Sequence, residues 1–325
     1  MSVVNLSKQI ALGIDIGGTN TKFGIVNHRG DILAKGALKT GDYEKVEDFI
    51  DALYEKVKPI LEEFSKVNDF KGIGIGAPNA NFYKGTIEDA PNLKWKGVIP
   101  FAEMIKKKFN SSCKMTNDAN AAALGEMMYG GARGMQDFIM ITLGTGVGSG
   151  IVANGALIYG HDGFAGELGH TIVKRNGRKH WSTGSEGSLE AYASATGITI
   201  TAKKLRAEFP NSLLNSFPEE KINAAAVYEC AMKGDETAIE VFRYTGQILG
   251  EALANFVMFS SPEAILLFGG VIKAGDLLLK PTKMHMEENL LPIFRDKVKL
   301  VLSELDEDGA AILGASALVW EKQNN

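Results

Sequence analysis

Residues 14–26 read IDIGGTNTKFGIV, a turn of glycine and threonine between two apolar runs. Residues 141–152 read ITLGTGVGSGIV and repeat that arrangement. Each pattern predicts a β-hairpin, and glycine at the tip permits a positive φ or a close approach to another group. Either loop alone is adequately explained as an ordinary hairpin. The pair, with Asp15 just before the first turn, indicates a phosphate chain held from both sides by backbone N–H groups and hydroxyls.

The composition is that of an ordinary globular protein. The chain has 325 residues, of which 45% are hydrophobic and 23% charged, and this length suffices for two domains with separate cores. A net charge of −4 argues against a nucleic-acid partner, since such surfaces need clustered lysine and arginine. The basic run at residues 106–108 is explained as a solvated helix face.

The sequence also indicates a cellular location. Cys113 and Cys230 are too few for a disulfide framework, which favours a reducing compartment. The segment before Ile10 lacks the apolar stretch of a signal peptide, and the apolar run 264–272 is shorter than the ~20 residues of a membrane span. We therefore expect a soluble, cytoplasmic protein with no membrane partner.

Helical and strand patterns alternate along the chain, which predicts an α/β fold with helices on largely parallel sheets. Apolar residues recur at helical spacing over residues 46–64, where Pro59 predicts a kink or a break. No linker rich in proline or serine divides the chain, so we expect a hinge near Asn117. We expect a small domain at residues 1–117 and a large domain at residues 118–308. A final helix at about 309–325 is expected to cross back to the small domain.

Neither familiar glycine fingerprint is present. The chain has no G-x-x-x-x-G-K-[ST], and strands follow its glycine loops where a dinucleotide fold would place a helix. Two copies of a strand–turn–strand phosphate grip instead resemble the actin-like ATPase (ribonuclease H-like) architecture. That resemblance implies two α/β lobes around a central cleft.

Six motifs narrow the resemblance to the ROK family (repressors, open reading frames and kinases), in its glucokinase-like branch. The similarity extends from Ile10 to beyond Gly314, and Glu-x-Gly-His after Gly-Thr-Gly-x-Gly is its most specific part. In chain order the motifs are DIGGT at 15–19, NDAN at 117–120, GTGVG at 144–148, ELGH at 167–170, GSLE at 187–190 and LFGGV at 267–271.

Asp118 is the candidate general base. It stands where a strand pattern ends and an alanine-rich helix begins, and a carboxylate there can accept the proton of an attacking hydroxyl. The alternative is structural, because Asp118 or Asn117 could equally cap the helix, worth about 1 kcal/mol. The resemblance implies that Asp118 is the base and that Asn117 contacts sugar.

Asp15 is the candidate magnesium ligand, through water, because this ion prefers oxygen ligands and keeps several waters. An Asx turn is the alternative for Asp15, and Lys22 is either a phosphate contact or an exposed strand lysine. Thr19 and Thr145 place a hydroxyl in each loop. Taken with the resemblance, the residues expected to bind ATP and Mg²⁺ are Asp15, Gly17, Gly18, Thr19, Gly144, Thr145, Gly146, Gly269 and Gly270.

Sugars are recognised by planar polar side chains that can donate to and accept from several hydroxyls. The resemblance assigns Glu167, His170 and Glu190 to sugar contacts, in addition to Asn117. Asn79, which follows the glycine-rich strand at 72–76, and Asn92 are further candidate contacts.

The chain departs from the family at a zinc site. Many ROK proteins bind zinc with the histidine of Glu-x-Gly-His and three cysteines in C-x-C-G-x-x-G-C-x-E. Here Trp181, Thr183 and Ser188 occupy the cysteine positions, and none supplies a thiolate. His161, His170 and His180 are too scattered to favour another metal site. We therefore predict no structural zinc, and packing around Trp181 is then expected to hold the loop that carries Glu190.

These inferences predict an ATP-dependent enzyme that phosphorylates a hexose at its 6-hydroxyl, converting glucose to glucose 6-phosphate. N-acetylglucosamine, N-acetylmannosamine or mannose as substrate, and polyphosphate as donor, remain open. A sugar-sensing ROK repressor is disfavoured because the residues before Ile10 hold no basic recognition helix. A filament-forming ATPase is disfavoured because it would not need a sugar pocket of the kind predicted from Glu167, His170 and Glu190. The resemblance also implies a homodimer.

Overall fold

The computed structural model of the protein describes residues 8–321. Its strands are β1 (Gln9–Ile16), β2 (Asn20–Asn27), β3 (Ile32–Lys39), β4 (Asp69–Gly76), β5 (Ala80–Asn81), β6 (Thr86–Glu88), β7 (Val98–Ile99), β8 (Cys113–Thr116), β9 (Phe138–Leu143), β10 (Val147–Ala153), β11 (Ala156–Leu157), β12 (Ala264–Phe268) and β13 (Lys299–Leu302). Its α-helices are α1 (Val46–Ser65), α2 (Phe101–Phe109), α3 (Asp118–Tyr129), α4 (Glu190–Ala193), α5 (Ala195–Glu208), α6 (Ala224–Met232), α7 (Glu236–Ser260), α8 (Asp276–Asn289) and α9 (Glu307–Trp320).

The chain divides into two compact units. Of the residues that the structure describes, the first unit contains 8–135, 157–166 and 304–321, and the second contains 136–156 and 167–303. Helix α3 thus lies in the first unit, beyond the boundary expected near Asn117, because it packs against α9. No helix among residues 8–321 is both long and apolar enough to span a bilayer.

The first unit is built on a five-stranded sheet in the order β3-β2-β1-β4-β8. The hairpin β1–β2 and the pair β2–β3 are antiparallel, whereas β1, β4 and β8 are parallel neighbours. The sheet is therefore mixed, where the sequence predicted largely parallel sheets, since each tight glycine turn reverses the chain direction. Helix α1 runs unbroken through Pro59 and buries Phe49 and Leu53.

Helix α9 packs closely on this sheet because glycine removes the side chains that would separate them. A Cβ at Gly13 of β1 would lie 2.2 Å from the carbonyl oxygen of Ile312, and one at Gly74 of β4 would lie 1.9 Å from that of Ala315. On the other side of α9, a Cβ at Gly314 would lie 2.5 Å from the carbonyl oxygen of Ala121 in α3. The helix expected to cross back is thus the element that joins β1, β4 and α3.

A small sheet, β5-β6-β7, completes the first unit. Asn81 of β5 donates from Nδ2 to the carbonyl of Asp162 (2.7 Å), and the Tyr83 hydroxyl donates to the carbonyl of Gly160 (2.8 Å). Phe82 stacks on Tyr159 with ring centroids 3.7 Å apart. These contacts explain why residues 157–166 belong to this unit.

The second unit repeats the plan of the first. Its sheet has the order β11-β10-β9-β12-β13, with an antiparallel hairpin β9–β10 and parallel pairs β9–β12 and β12–β13. Helices α4–α8 cover it, and its core includes Phe242, Leu249 and Leu253 of the long helix α7. Both predicted hairpins therefore form, one at the centre of each sheet.

Candidate active site

Two carboxylates lie at the carboxyl ends of the parallel strands of the first sheet. Asp15 of β1 pairs with Gly76, the last residue of β4, and Gly76 pairs with Thr116, the last residue of β8. The carboxyl ends of these parallel strands therefore coincide, as at ligand sites in α/β folds. Asp118 follows β8 directly and opens α3. A Cβ at Gly76 would lie 3.2 Å from the Cβ of Ala121 in α3 and 3.7 Å from both Asp15 Oδ1 and Asp118 Cα, so glycine lets α3 approach β4 beside the two carboxylates.

The capping question between Asn117 and Asp118 has a structural answer. Asn117 is the N-cap, and its Oδ1 accepts from the backbone N–H of Ala119 (2.8 Å) and of Asn120 (3.1 Å). Asp118 also accepts from Ala119, at 2.8 Å through Oδ1. Since Asn117 already satisfies the helix terminus, the carboxylate of Asp118 is not needed as a cap and is exposed to water.

The electrostatics of this edge favour proton transfer. Although Asp118 reaches water, protein atoms surround its carboxyl, and this burial raises its pKa while the N–H of Ala119 opposes the shift. Burial, together with the negative charge of Asp118, raises the pKa of Asp15 to about 7, and Lys22 opposite it on β2 lowers it. Two neighbouring carboxyls that resist ionisation indicate a functional site.

The first hairpin tip uses glycine for close approach. The N–H of Gly17 donates to the carbonyl of Asn20 (3.0 Å), which closes the turn. A Cβ at Gly18 would lie 2.4 Å from the backbone oxygen of Asn92, so that segment packs directly on the turn. The side chains of Thr19 and Asn92 are exposed. Asn92 therefore supports the loop through its backbone, and its amide is available to a ligand.

The second tip is bound to Glu190. The N–H of Gly144 donates to the carbonyl of Gly146 (3.0 Å), and a Cβ at Gly146 would lie 2.4 Å from Glu190 Oε2. That same oxygen accepts from the N–H of Val147 at 2.6 Å. Among the described residues, the glycines with positive φ do not include Gly17, Gly18, Gly144 or Gly146. Positive φ, one of the two reasons given for glycine in these turns, therefore does not apply. Close packing explains Gly17, Gly18 and Gly146, whereas a Cβ at Gly144 would meet no atom within 4 Å.

The N-terminus of α5 supports the same tip. The N–H of Ala195 donates to the carbonyl of Gly144 (2.8 Å), and the hydroxyl of Thr196 donates to the carbonyl of Thr145 (2.9 Å). The Thr145 side chain remains exposed. Gly269, after β12, has φ +105°, and a Cβ there would lie 2.5 Å from the carbonyl of Leu143. Gly269 thus lies beside the hairpin, and Gly270 is exposed next to it.

The candidate sugar residues of the second unit lie near this hairpin. Glu167 precedes a 3-10 turn at Leu168–His170 that is fixed to β10, because the N–H of Leu168 donates to Ser149 Oγ (3.1 Å). Glu167 and His170 are exposed. The ring of His170 lies 5.6 Å, centroid to centroid, from that of His180, which is hydrogen-bonded to Glu190. Glu167, His170 and Glu190 are thus brought to one side of the unit.

Asn79 has a structural task in the first unit. Its backbone has φ +50°, and its Nδ2 donates to the carbonyl of Glu88 at 3.0 Å. The amide nitrogen therefore closes the loop after β4. Sequence reasoning missed the task of His180, which was weighed only as a metal ligand.

Comparison with known proteins agrees with this architecture. A model of the ROK family matches residues 11–322. A glucokinase of Halalkalibacterium halodurans is 35% identical, over 98% of this chain and 98% of that protein, and a glucokinase of Thermotoga maritima is 32% identical, over 96% and 97%. The crystal structure of a ROK family glucokinase from Streptomyces griseus, in complex with glucose and AMPPNP, has a TM-score of 0.78 at 31% identity and covers 95% of this chain and 98% of that one.

The chain therefore belongs to the ROK family. The prediction of that family from six short motifs is confirmed, as is the α/β actin-like ATPase fold.

Asp15→Asn is expected to stabilise the free protein above pH 7. The pKa of Asp15 is raised from 3.8 to about 7 in the folded state, so ionisation of this carboxyl opposes folding. The wild-type protein therefore loses free energy of unfolding as pH rises from about 4 to about 7, whereas the variant does not. Thermal unfolding of wild type and variant at pH 5 and pH 8 measures the effect, with Asp69→Asn as control because Asp69 is exposed at the opposite end of β4. An equal difference between the two proteins at both pH values would contradict the assignment.

Proposed function

We propose that this ROK-family protein is an ATP-dependent kinase that phosphorylates the 6-hydroxyl of a hexose, with glucose as the preferred substrate. The observation that carries the proposal is the pair Asp15 and Asp118 at the carboxyl ends of parallel strands, beside a glycine hairpin. The similarity over nearly the whole chain to glucokinases supports it.

Asp118 is the proposed general base. A carboxylate whose pKa is raised binds a proton more strongly, and it is therefore a better acceptor for the proton of the attacking hydroxyl. The hydroxyl oxygen then attacks the terminal phosphorus of the nucleotide, whose bond to the leaving phosphate oxygen breaks. Such a transfer depends on positioning and charge stabilisation more than on covalent chemistry.

Asp15 fits a magnesium ion. Magnesium prefers carboxylate and water oxygens, and a cation here would favour the ionised form of Asp15, which burial and the negative charge of Asp118 disfavour. When bound, the ion would neutralise phosphate charge. Lys22 of β2 is paired with Asp15 of β1 in the sheet. The exposed hydroxyls of Thr19 and Thr145 are the proposed phosphate contacts at the hairpin tips.

The remaining polar residues are proposed to bind the sugar. Asn117 is half-buried beside Asp118, and Glu167 and His170 are exposed on the turn next to β10. Glu190 keeps acceptor capacity because each carboxylate oxygen has two lone pairs and one protein donor. Asn79 and Asn92 are secondary candidates, since each already supports a loop.

A cytoplasmic location and a homodimer are part of the proposal. The location is proposed because two cysteines are too few for a disulfide framework, which favours a reducing compartment.

A panel of hexoses and donors tests the activity. Glucose, mannose, N-acetylglucosamine and N-acetylmannosamine are each incubated with ATP and Mg²⁺ or with polyphosphate, and the products are identified by ³¹P NMR. We expect glucose 6-phosphate as the main product with ATP. A higher kcat/KM for an N-acetylated sugar would reassign the substrate within the same chemistry. No phosphoryl transfer to any sugar from either donor would overturn the proposal.

A further inference from the structure

The loop that carries Glu190 does not fit the zinc that many ROK proteins bind there. Trp181 and Thr183, at two of the cysteine positions, are exposed, and the hydroxyl of Thr183 is hydrogen-bonded to Ser185 Oγ (2.7 Å). Ser188, at the third position, is buried, and its hydroxyl has no hydrogen-bond partner. Among the side chains that the structure describes, at residues 8–306 and 309–321, no three from histidine, cysteine, aspartate or glutamate are grouped to hold a metal ion. Something other than zinc must order this loop.

His180 occupies the centre of the loop. Its side chain is 1% exposed, and its Nε2 lies 2.6 Å from Glu190 Oε1. Its Nδ1 accepts from the backbone N–H groups of Ser182 (3.2 Å) and Thr183 (3.1 Å). Because backbone N–H groups can only donate, Nδ1 carries no proton, and Nε2 therefore donates its proton to Glu190.

The backbone around His180 closes on itself. The N–H of His180 donates to the carbonyl of Ser185 (2.7 Å), and the N–H of Gly184 donates back to the carbonyl of His180 (3.1 Å). Trp181 stacks on the imidazole, with ring centroids 4.2 Å apart and planes at 27°. The imidazole is thus fixed on both nitrogens and on one face.

Glu190 is in turn fixed at both oxygens. Oε1 accepts from His180, and Oε2 accepts from Val147 at the start of β10. Without His180, one oxygen would lose a buried donor, and the carboxylate could rotate about its remaining bond. A sugar-binding carboxylate held at one point loses the orientation that the sugar requires.

We propose that His180 is a positioning residue that replaces the zinc of related proteins. It orders residues 180–190 through Nδ1 and orients Glu190 toward the hexose through Nε2. This inference rests on the proposed function, since it assigns Glu190 to the sugar.

Two substitutions separate the roles of the two nitrogens. His180→Asn keeps an acceptor near Nδ1 and removes the donor to Glu190, whereas His180→Gln keeps a donor near Nε2 and removes the acceptor. We expect His180→Asn to raise the KM for the hexose about 10- to 100-fold, the range for losing a hydrogen bond to a charged group. The KM for ATP should change much less, and His180→Gln should recover part of the hexose affinity.

Controls separate this result from a general loss of structure. His161→Asn changes an exposed histidine of the first unit and should leave both KM values unchanged. Thermal unfolding and near-ultraviolet circular dichroism report whether each variant folds. The long-range ¹H–¹⁵N spectrum of the wild-type imidazoles should show His180 as the Nε2–H tautomer, and this readout does not depend on activity.

The outcomes are distinct. A wild-type enzyme that phosphorylates hexose, together with a folded His180→Asn variant of unchanged hexose KM, overturns the inference and leaves the proposed function intact. Stoichiometric zinc in the purified protein, or an Nδ1–H tautomer of His180, also overturns the inference. A wild-type protein that phosphorylates no hexose overturns the proposed function, and the inference about the sugar with it.

Discussion

The Asp118→Asn enzyme is expected to lose 10²- to 10⁴-fold in kcat, the usual contribution of a general base. Asparagine matches aspartate in size but cannot take a proton from the hydroxyl. Because Asn117 is the N-cap of α3, the variant should fold normally and bind hexose with nearly unchanged affinity. A coupled assay measures kcat, and calorimetry measures sugar binding.

Asp276→Asn is the matched control. Asp276 opens α8 as Asp118 opens α3 and is likewise exposed, but its carboxylate is paired with Lys280 at 2.9 Å. Its substitution should leave turnover unchanged. Near-normal kcat in Asp118→Asn would show that another group accepts the proton.

Gly74→Ala is expected to cost about 3 kcal/mol or more of the free energy of unfolding, because added volume in a close-packed core forces backbone apart. A Cβ at this position would lie 1.9 Å from the carbonyl oxygen of Ala315, so β4 and α9 must separate. The shift would also displace Gly76, two residues further along β4, between Asp15 and Asp118. Urea unfolding measures the stability change, and loss of activity should accompany it.

The control for that substitution is Gly41→Ala. A Cβ at Gly41 would meet only the carbonyl oxygen of Gly18, at an ordinary 3.8 Å. Its stability should remain within about 0.5 kcal/mol of wild type. If Gly74→Ala were as stable as Gly41→Ala, the close contact of α9 with β4 would be wrong.

The local patterns predicted much of the fold. Apolar runs around the two glycine turns gave both hairpins, and the transition from strand to helix at Asn117 placed Asp118 at a strand end. These features depend on residues close together in sequence, so a single sequence reveals them. The same patterns do not show whether neighbouring strands run parallel or antiparallel. The mixed character of both sheets was therefore not predicted.

Long-range contacts account for what the sequence did not reveal. Helix α3 belongs with the first unit because Gly314, far along the chain, lets α9 approach Ala121. The task of His180 depends on Glu190 and on two backbone N–H groups that only the folded loop brings to it. Packing around Trp181 was expected to hold this loop. Trp181 does stack on His180, but His180 makes the polar contacts.

The packing of α9 on the first unit has a consequence for folding during synthesis on the ribosome. Strands β1 and β4 emerge early, yet their apolar face toward α9 stays uncovered until translation has passed residue 320. The second unit is complete in sequence at Ser303 and can acquire its structure first. A nascent chain of this protein therefore carries an unfinished N-terminal half for most of its elongation, the stage at which chaperone protection matters most.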